Sequence, residues 1–96
     1  MKKIEQIKLL PISTIIGRYV VLNSRGLSLV GICPFHSDTK PALNVSDHKN
    51  LFKCFVCGMD GDGISFVMNF EQLPFADAIE KIIKDHNLSD DSTKGK

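Results

Sequence analysis

Ninety-six residues, 43% of them hydrophobic and 24% charged, with a formal net charge of +1, describe one domain with a modest core, at a size where a metal staple contributes to folding. No apolar run approaches the length of a membrane span, and Glu5 and Lys8 interrupt the opening residues where a secretion signal would need an unbroken apolar stretch. An odd count of three cysteines argues against a disulfide scaffold, so the expected location is the reducing cytoplasm, with no membrane partner.

Ile4, Ile7 and Leu10 sit at helical spacing in a short first segment. Pro11 opens a second short helix with Ile12, Ile15 and Ile16 on its apolar face, and Gly17 is placed to end it. Arg18 to Leu22 is β-branched and aromatic, which predicts a strand, and Asn23 to Gly26 reads as a turn. Leu27 to Ile32 then returns as the partner strand. After the polar loop Ser37 to Pro41, strands are expected over Ala42 to Ser46 and Leu51 to Cys54, joined by the turn Asp47 to Asn50. Gly61-Asp62-Gly63 leads into a helix carrying Ile64, Val67 and Met68, with Asp62 as its N-cap. Pro74 starts the clearest helix, in which Phe75, Ala78, Ile79, Ile82 and Ile83 form one stripe. Residues 1–88 are thus read as one domain. The polar stretch 89–96 is expected to be disordered. The fold class is α+β: a zinc ribbon whose small antiparallel β-sheet is flanked by short N-terminal and longer C-terminal helices.

Two pairs of soft ligands carry the chemistry. Cys33-Pro34-Phe35-His36 is followed, after seventeen intervening residues, by Cys54-Phe55-Val56-Cys57-Gly58. Each pair turns two donors toward one side of a tight loop. Four such donors suit a tetrahedral Zn²⁺ at about 2.3 Å to sulfur and about 2.0–2.1 Å to imidazole nitrogen. Pro34 stiffens the first turn, and Gly58 can take positive φ to curl the chain round the ion. Cys33, His36, Cys54 and Cys57 close the coordination shell, so the one zinc is structural and no position is left for an activated water. Three thiolates and a neutral imidazole leave the site at −1, and Lys53 adjoins it. Buried core thiols at chance spacing are the plainer alternative, but they leave the second pairing and His36 unexplained. His48 and His86 read as solvated side chains.

The near-zero net charge hides an asymmetry. Through Met59 eight basic residues face three acidic ones, giving +5; from Asp60 onward four face eight, giving −4. A basic half that holds the metal suggests an anionic partner, with ordinary solvated lysines as the alternative. Single-stranded nucleic acid is held by aromatic side chains and cations. Tyr19, Phe52 and Phe55 are candidates for stacking, with Tyr19 preferred because Phe55 lies inside the ligand turn. Arg18, Arg25, Lys40, Lys49 and Lys53 are candidates for phosphate contact.

The words Ile16-Gly17-Arg18-Tyr19-Val20, Gly31-Ile32-Cys33-Pro34-Phe35-His36, Phe52-Lys53-Cys54-Phe55-Val56-Cys57-Gly58, Asp60-Gly61-Asp62-Gly63 and Phe66-Val67-Met68 resemble the N-terminal zinc-binding domain of bacterial DnaG-type DNA primases. The resemblance runs from about Ile12 to Leu88. It implies a zinc ribbon that reads single-stranded DNA template, helps choose where an RNA primer begins, and works with a primase polymerase domain in cis or in trans and with a replicative helicase. It also implies the ligand set Cys33, His36, Cys54 and Cys57. Two stretches depart from the family pattern, Leu27-Ser28-Leu29 and Asp38-Thr39-Lys40-Pro41-Ala42-Leu43. A kept metal cage beneath a changed surface fits a divergent copy, for instance one on a mobile element. The carboxylates needed for primer synthesis are not clustered here, so the chain is expected to be a non-catalytic domain, either a piece of a longer primase or a free-standing ribbon. The competing reading is a protein-interaction ribbon that docks on a primase, helicase or RNA polymerase without touching DNA. A Cys-x-x-Cys oxidoreductase is disfavoured because zinc would occupy the thiolates.

Overall fold

Two short helices, α1 (Lys3–Lys8) and α2 (Ile12–Ile16), lead into five strands and two longer helices. The strands are β1 (Asn23–Arg25), β2 (Ser28–Gly31), β3 (Leu43–Ser46), β4 (Leu51–Cys54) and β5 (Asp60–Gly61), followed by α3 (Gly63–Glu71) and α4 (Phe75–Asp85). The strands form one antiparallel meander in the order β1-β2-β3-β4-β5. The computed structural model describes residues 3–35 and 40–88, so the expected tail at 89–96 lies outside the described residues. Among the described residues no helix is long and apolar enough to cross a membrane.

Alternation along the strands separates two faces of the sheet. Leu43 and Val45 of β3 and Phe52 and Cys54 of β4 point inward and are buried. They pack on Ile12 and Ile16 of α2 and Phe66 of α3. The next residues round each of those helices face the other way. Ile15 of α2 and Ile64 and Val67 of α3 join Ile7 of α1 and Ala78, Ile79, Ile82 and Ile83 of α4 in a second core. The molecule is therefore layered, with sheet on one side, α2 and α3 in the middle, and α1 and α4 outermost.

The expected strand Arg18–Leu22 does not form. Its N–H groups are already engaged: Tyr19 and Val20 donate to the Ile16 carbonyl at 2.9 and 3.0 Å, which prolongs the helical turn beyond α2. The β-branched and aromatic character of this stretch serves burial instead, since Val20 is enclosed in the sheet core and Tyr19 and Leu22 pack against it. The first strand is shifted into the expected turn and pairs Asn23, Ser24 and Arg25 with Val30, Leu29 and Ser28. Gly31 permits the crossing, because a Cβ there would lie 2.8 Å from both Val20 Cγ1 and the Val21 carbonyl oxygen. The two-residue β5 was not expected, and Asp60 and Gly61 pair with Lys53 and Phe52.

Two side-chain caps fix the helices to the sheet. Asp47, in the β3–β4 turn, accepts from the backbone N–H of Ser13 at 2.8 Å and from its hydroxyl at 2.7 Å, which supplies the start of α2 with the acceptor that Pro11 lacks. Asp62 caps α3 as expected, accepting from the Ser65 N–H at 2.9 Å. Replacing Asp62 with Ala should destabilise the fold by about 1 kcal/mol, measured by urea denaturation, with Asn restoring most of the loss.

Candidate metal centre and nucleic-acid surface

Strand register brings the ligand-bearing segments together. Gly31, Leu43 and Cys54 are cross-strand partners in one row at one end of the sheet, and Cys33 follows Gly31 by two residues. Beyond Cys54 the chain doubles back. Gly58 N–H donates to the Cys54 carbonyl at 3.0 Å, the Cys54 N–H reaches the Met59 carbonyl at 2.8 Å, and Gly58 takes φ +81° with nothing near its missing Cβ. The sulfurs of Cys33, Cys54 and Cys57 consequently lie within 4.8 Å of one another. Cys33 and Cys54 are buried, and Cys57 is exposed. His36 lies outside the described residues.

The donor set fits zinc. Cys33 Sγ and Cys57 Sγ are 3.8 Å apart, far too long for a disulfide and equal to the edge of a tetrahedron with legs of about 2.3 Å. The N–H groups of Val56 and Cys57 point at Cys54 Sγ, at 3.4 and 3.5 Å, as they should toward a thiolate. Burial pushes the Cys33 thiol up to about 12, with Cys54 and Cys57 adding to the shift and a hydrogen bond from the Phe35 backbone opposing it. A cation amid the three sulfurs reverses that preference, since a coordinating thiol loses its proton.

The solvent face of the same sheet forms a groove of about 790 Å³. Its walls include Ser28, Asn44, Ser46, Leu51, Lys53 and Asp60 from the strands. The β-turns at one end contribute Leu27, His48 and Lys49, and the metal turn contributes Phe55. Lys49, Leu51, Lys53 and Phe55 line the groove at every second residue; Phe52 also borders it but is 2% exposed, and Cys54 is buried in the core.

The structure redistributes the candidate DNA contacts. Lys49 and Lys53 come together on the groove, and Arg25 flanks it on β1 opposite Ser28. Lys40 is exposed just ahead of β3 and does not line the groove. Phe52 is 2% exposed, with its ring among Phe35 and Phe66, so stacking on a base is corrected to a core role. Tyr19 is partly buried and packs against α3. Its ring lies 4.5 Å from that of Phe70 and 5.9 Å from that of Phe66. Burial, then a hydrogen bond to Glu71, raises its pKa to about 12. Arg18 turns toward α4, with Nε 3.9 Å from Asp85. Lys3 pairs with Glu80, and Lys81 lies between Glu71 (3.6 Å) and Asp85 (3.3 Å). Lys3 and Arg18 of the basic half are thus engaged by acidic residues of α4, in half-exposed pairs that add little stability.

Phe55, the less favoured stacking candidate, is 67% exposed on the groove, where His48 and the unconsidered Asn44, Leu51 and Asp60 join it. The period-two pattern running outward from the buried Phe52 carried the signal.

The family model described as "CHC2 zinc finger", a zinc ribbon of the DnaG type, matches residues 1–96. The chain belongs to the CHC2 zinc-binding domains of DnaG-type primases. The DNA primase of Campylobacter jejuni is 41% identical over 87 residues, covering 91% of this chain and 14% of the relative. The DNA primase of Helicobacter pylori strain 26695 is 40% identical over 81 residues, covering 84% of the chain and 14% of the relative. A crystal structure of Aquifex aeolicus primase, containing zinc binding and RNA polymerase domains, superposes with a TM-score of 0.83 at 32% identity, over 100% of this chain and 24% of that one. The CHC2 domain therefore spans about one seventh of the length of these curated relatives. Three cysteines at one point agree with the single zinc ion of such a domain.

Proposed function

We propose that this CHC2 domain holds single-stranded DNA template on the solvent face of its sheet during the initiation of RNA primers, with zinc as a structural ion held by Cys33, His36, Cys54 and Cys57. The supporting observation is the groove itself. Two lysines and an exposed phenylalanine line a concave surface whose end is built by the metal turn. Single strands are bound by this combination, with cations tracking the phosphates and rings stacking on bases. Lys49, Lys53 and Phe55 are the principal contacts, Arg25 and Lys40 extend the basic rim, and Arg18, Tyr19 and Phe52 support the fold. The domain itself carries out no bond chemistry. A primase polymerase domain, joined in cis or acting in trans, makes the primer in the cytoplasm, alongside a replicative helicase.

Charge reversal tests the reading. Lys49→Glu with Lys53→Glu should weaken binding to short single strands while zinc content stays at one ion per chain. The slope of log affinity against log salt should flatten by about 0.7 for the phosphate held by Lys49, and by about 1.4 where Lys53 also meets a phosphate instead of a base. Unchanged affinity and slope would move the interface off this face.

The apolar side chains give a protein partner some claim on the same groove, since Leu27 is 96% exposed and Leu51 and Phe55 adjoin it. Failure of the wild-type domain to bind any single strand at low salt would favour that docking role.

A further inference from the structure

Asp60 is out of place on a surface that only grips phosphates. It ends the row Asn23, Val30, Asn44, Lys53, Asp60, in which successive cross-strand pairs link all five strands; Val30 is buried, and Asn44, Lys53 and Asp60 line the groove. It is exposed and lines the groove together with Lys49, Lys53 and Phe55. Lys53 is its direct cross-strand neighbour, yet among the described residues the Asp60 carboxylate has no hydrogen-bond or ion-pair partner. An ionised carboxylate only accepts hydrogen bonds, and it repels a sugar-phosphate backbone laid over it.

We infer that Asp60, with Lys53, reads the Watson–Crick edge of one unstacked template base, and that this base is guanine. The inference rests on the sheet face being the single-strand surface. Unpaired strands offer that edge to proteins, with the base stacked on an aromatic ring. Directly opposed residues on neighbouring strands place their Cβ atoms about 4.5–5.5 Å apart, so one planar base can meet both side chains. Lys53 presents a donor, and Asp60 presents two acceptors beside it. Guanine presents the complement, with an acceptor at O6 followed by donors at N1 and the 2-amino group. Two parallel N–H groups meeting two carboxylate oxygens is the arrangement that makes arginine–carboxylate forks strong. Thymine sets its single N3–H between two carbonyl oxygens, which a carboxylate repels. Cytosine and adenine each offer one amino group beside a ring nitrogen that has no hydrogen to give. Phe55 and Leu51 supply the apolar contact for the base, and Lys49 lies along the groove for the phosphate.

The test is fluorescence anisotropy with the zinc-loaded chain and a labelled all-thymidine strand, alone or with one central deoxyguanosine, deoxyinosine or 7-deazadeoxyguanosine. The guanine strand should bind about tenfold tighter than the all-thymidine strand, within the range of a good bidentate base contact. Inosine lacks the 2-amino group and should lose part of that preference, whereas the 7-deaza base keeps its Watson–Crick edge and should match guanine. In Asp60→Asn the guanine-to-thymine ratio should fall to near one and inosine should equal guanine. Asp60→Ser should behave in the same way. Equal binding of all four strands by the wild type, or an unchanged ratio in both variants, would overturn the base reading and leave the sheet-face surface standing. No binding to any strand at low salt would overturn both.

Discussion

Stripping the metal from the reduced protein should abolish the cooperative unfolding transition of the sheet. Structural zinc contributes about 10–16 kcal/mol of apparent binding free energy in small domains near neutral pH. Whole-domain stability is only about 5–15 kcal/mol. The ends of β2 and β4 and the turn before β5 meet at the three sulfurs, so those strands depend on the ion most directly. The core formed by α1, α3 and α4 has no residue at the site and should retain helical signal after the strands are lost. Far-ultraviolet dichroism and amide dispersion before and after chelation would check this. Native-like dispersion from β2 to β4 without metal would refute it. Cys57→Ser separates ligation from packing, because Cys57 is exposed whereas Cys33 and Cys54 also fill the core. That variant should bind zinc far more weakly, with little packing loss of its own.

Phe66→Ala should cost about 3–5 kcal/mol. The Phe66 side chain is fully buried at 0% exposure, and its ring centroid lies 5.2 Å from that of Phe35, 5.3 Å from Phe52, and 5.9 Å from both Tyr19 and Phe70. It joins the inner face of the sheet to the middle helical layer, and surrounding rings cannot close a hole of that size without moving a strand or a helix. The midpoint of thermal unfolding should fall by about 12 °C or more, at roughly 4–8 °C per kcal/mol for a domain of this size. Phe55→Ala is the matched control. Its ring is mostly in solvent, so stability should change by about 0.5 kcal/mol or less while single-strand affinity drops. Equal destabilisation by the two substitutions would contradict the division of labour between these rings.

Local chemistry was readable where it is governed by neighbours in sequence. The Cys-x-x pairs, the Asp62 cap, the α4 stripe and the Asp47–Asn50 turn each depend on a few adjacent residues, and among the described residues the structure has them where expected, save that Phe75 at the head of the stripe is 49% exposed while Ala78, Ile79, Ile82 and Ile83 are buried. Arg18–Leu22 misled because high β-propensity reports fitness for a half-buried surface, and helical hydrogen bonds from α2 supplied that surface without a strand. β5 is too short to show a period, and pairing with β4 alone creates it.

Spacing alone pointed to a metal site at Cys33, Cys54 and Cys57 and to the α+β class, because side-chain chemistry at fixed short separation leaves few alternatives; the family came from the resemblance of its sequence motifs. Which aromatic rings face water was decided only by the assembled layers. Tyr19 and Phe55 are both stacking candidates in a linear reading; the packing of Tyr19 on Phe66 and Phe70 of α3 leaves the first partly buried, and the second stays open at 67% exposure. The placing of Lys53 beside Asp60 likewise belongs to register, since hydrogen bonds between distant strands determine which side chains become neighbours.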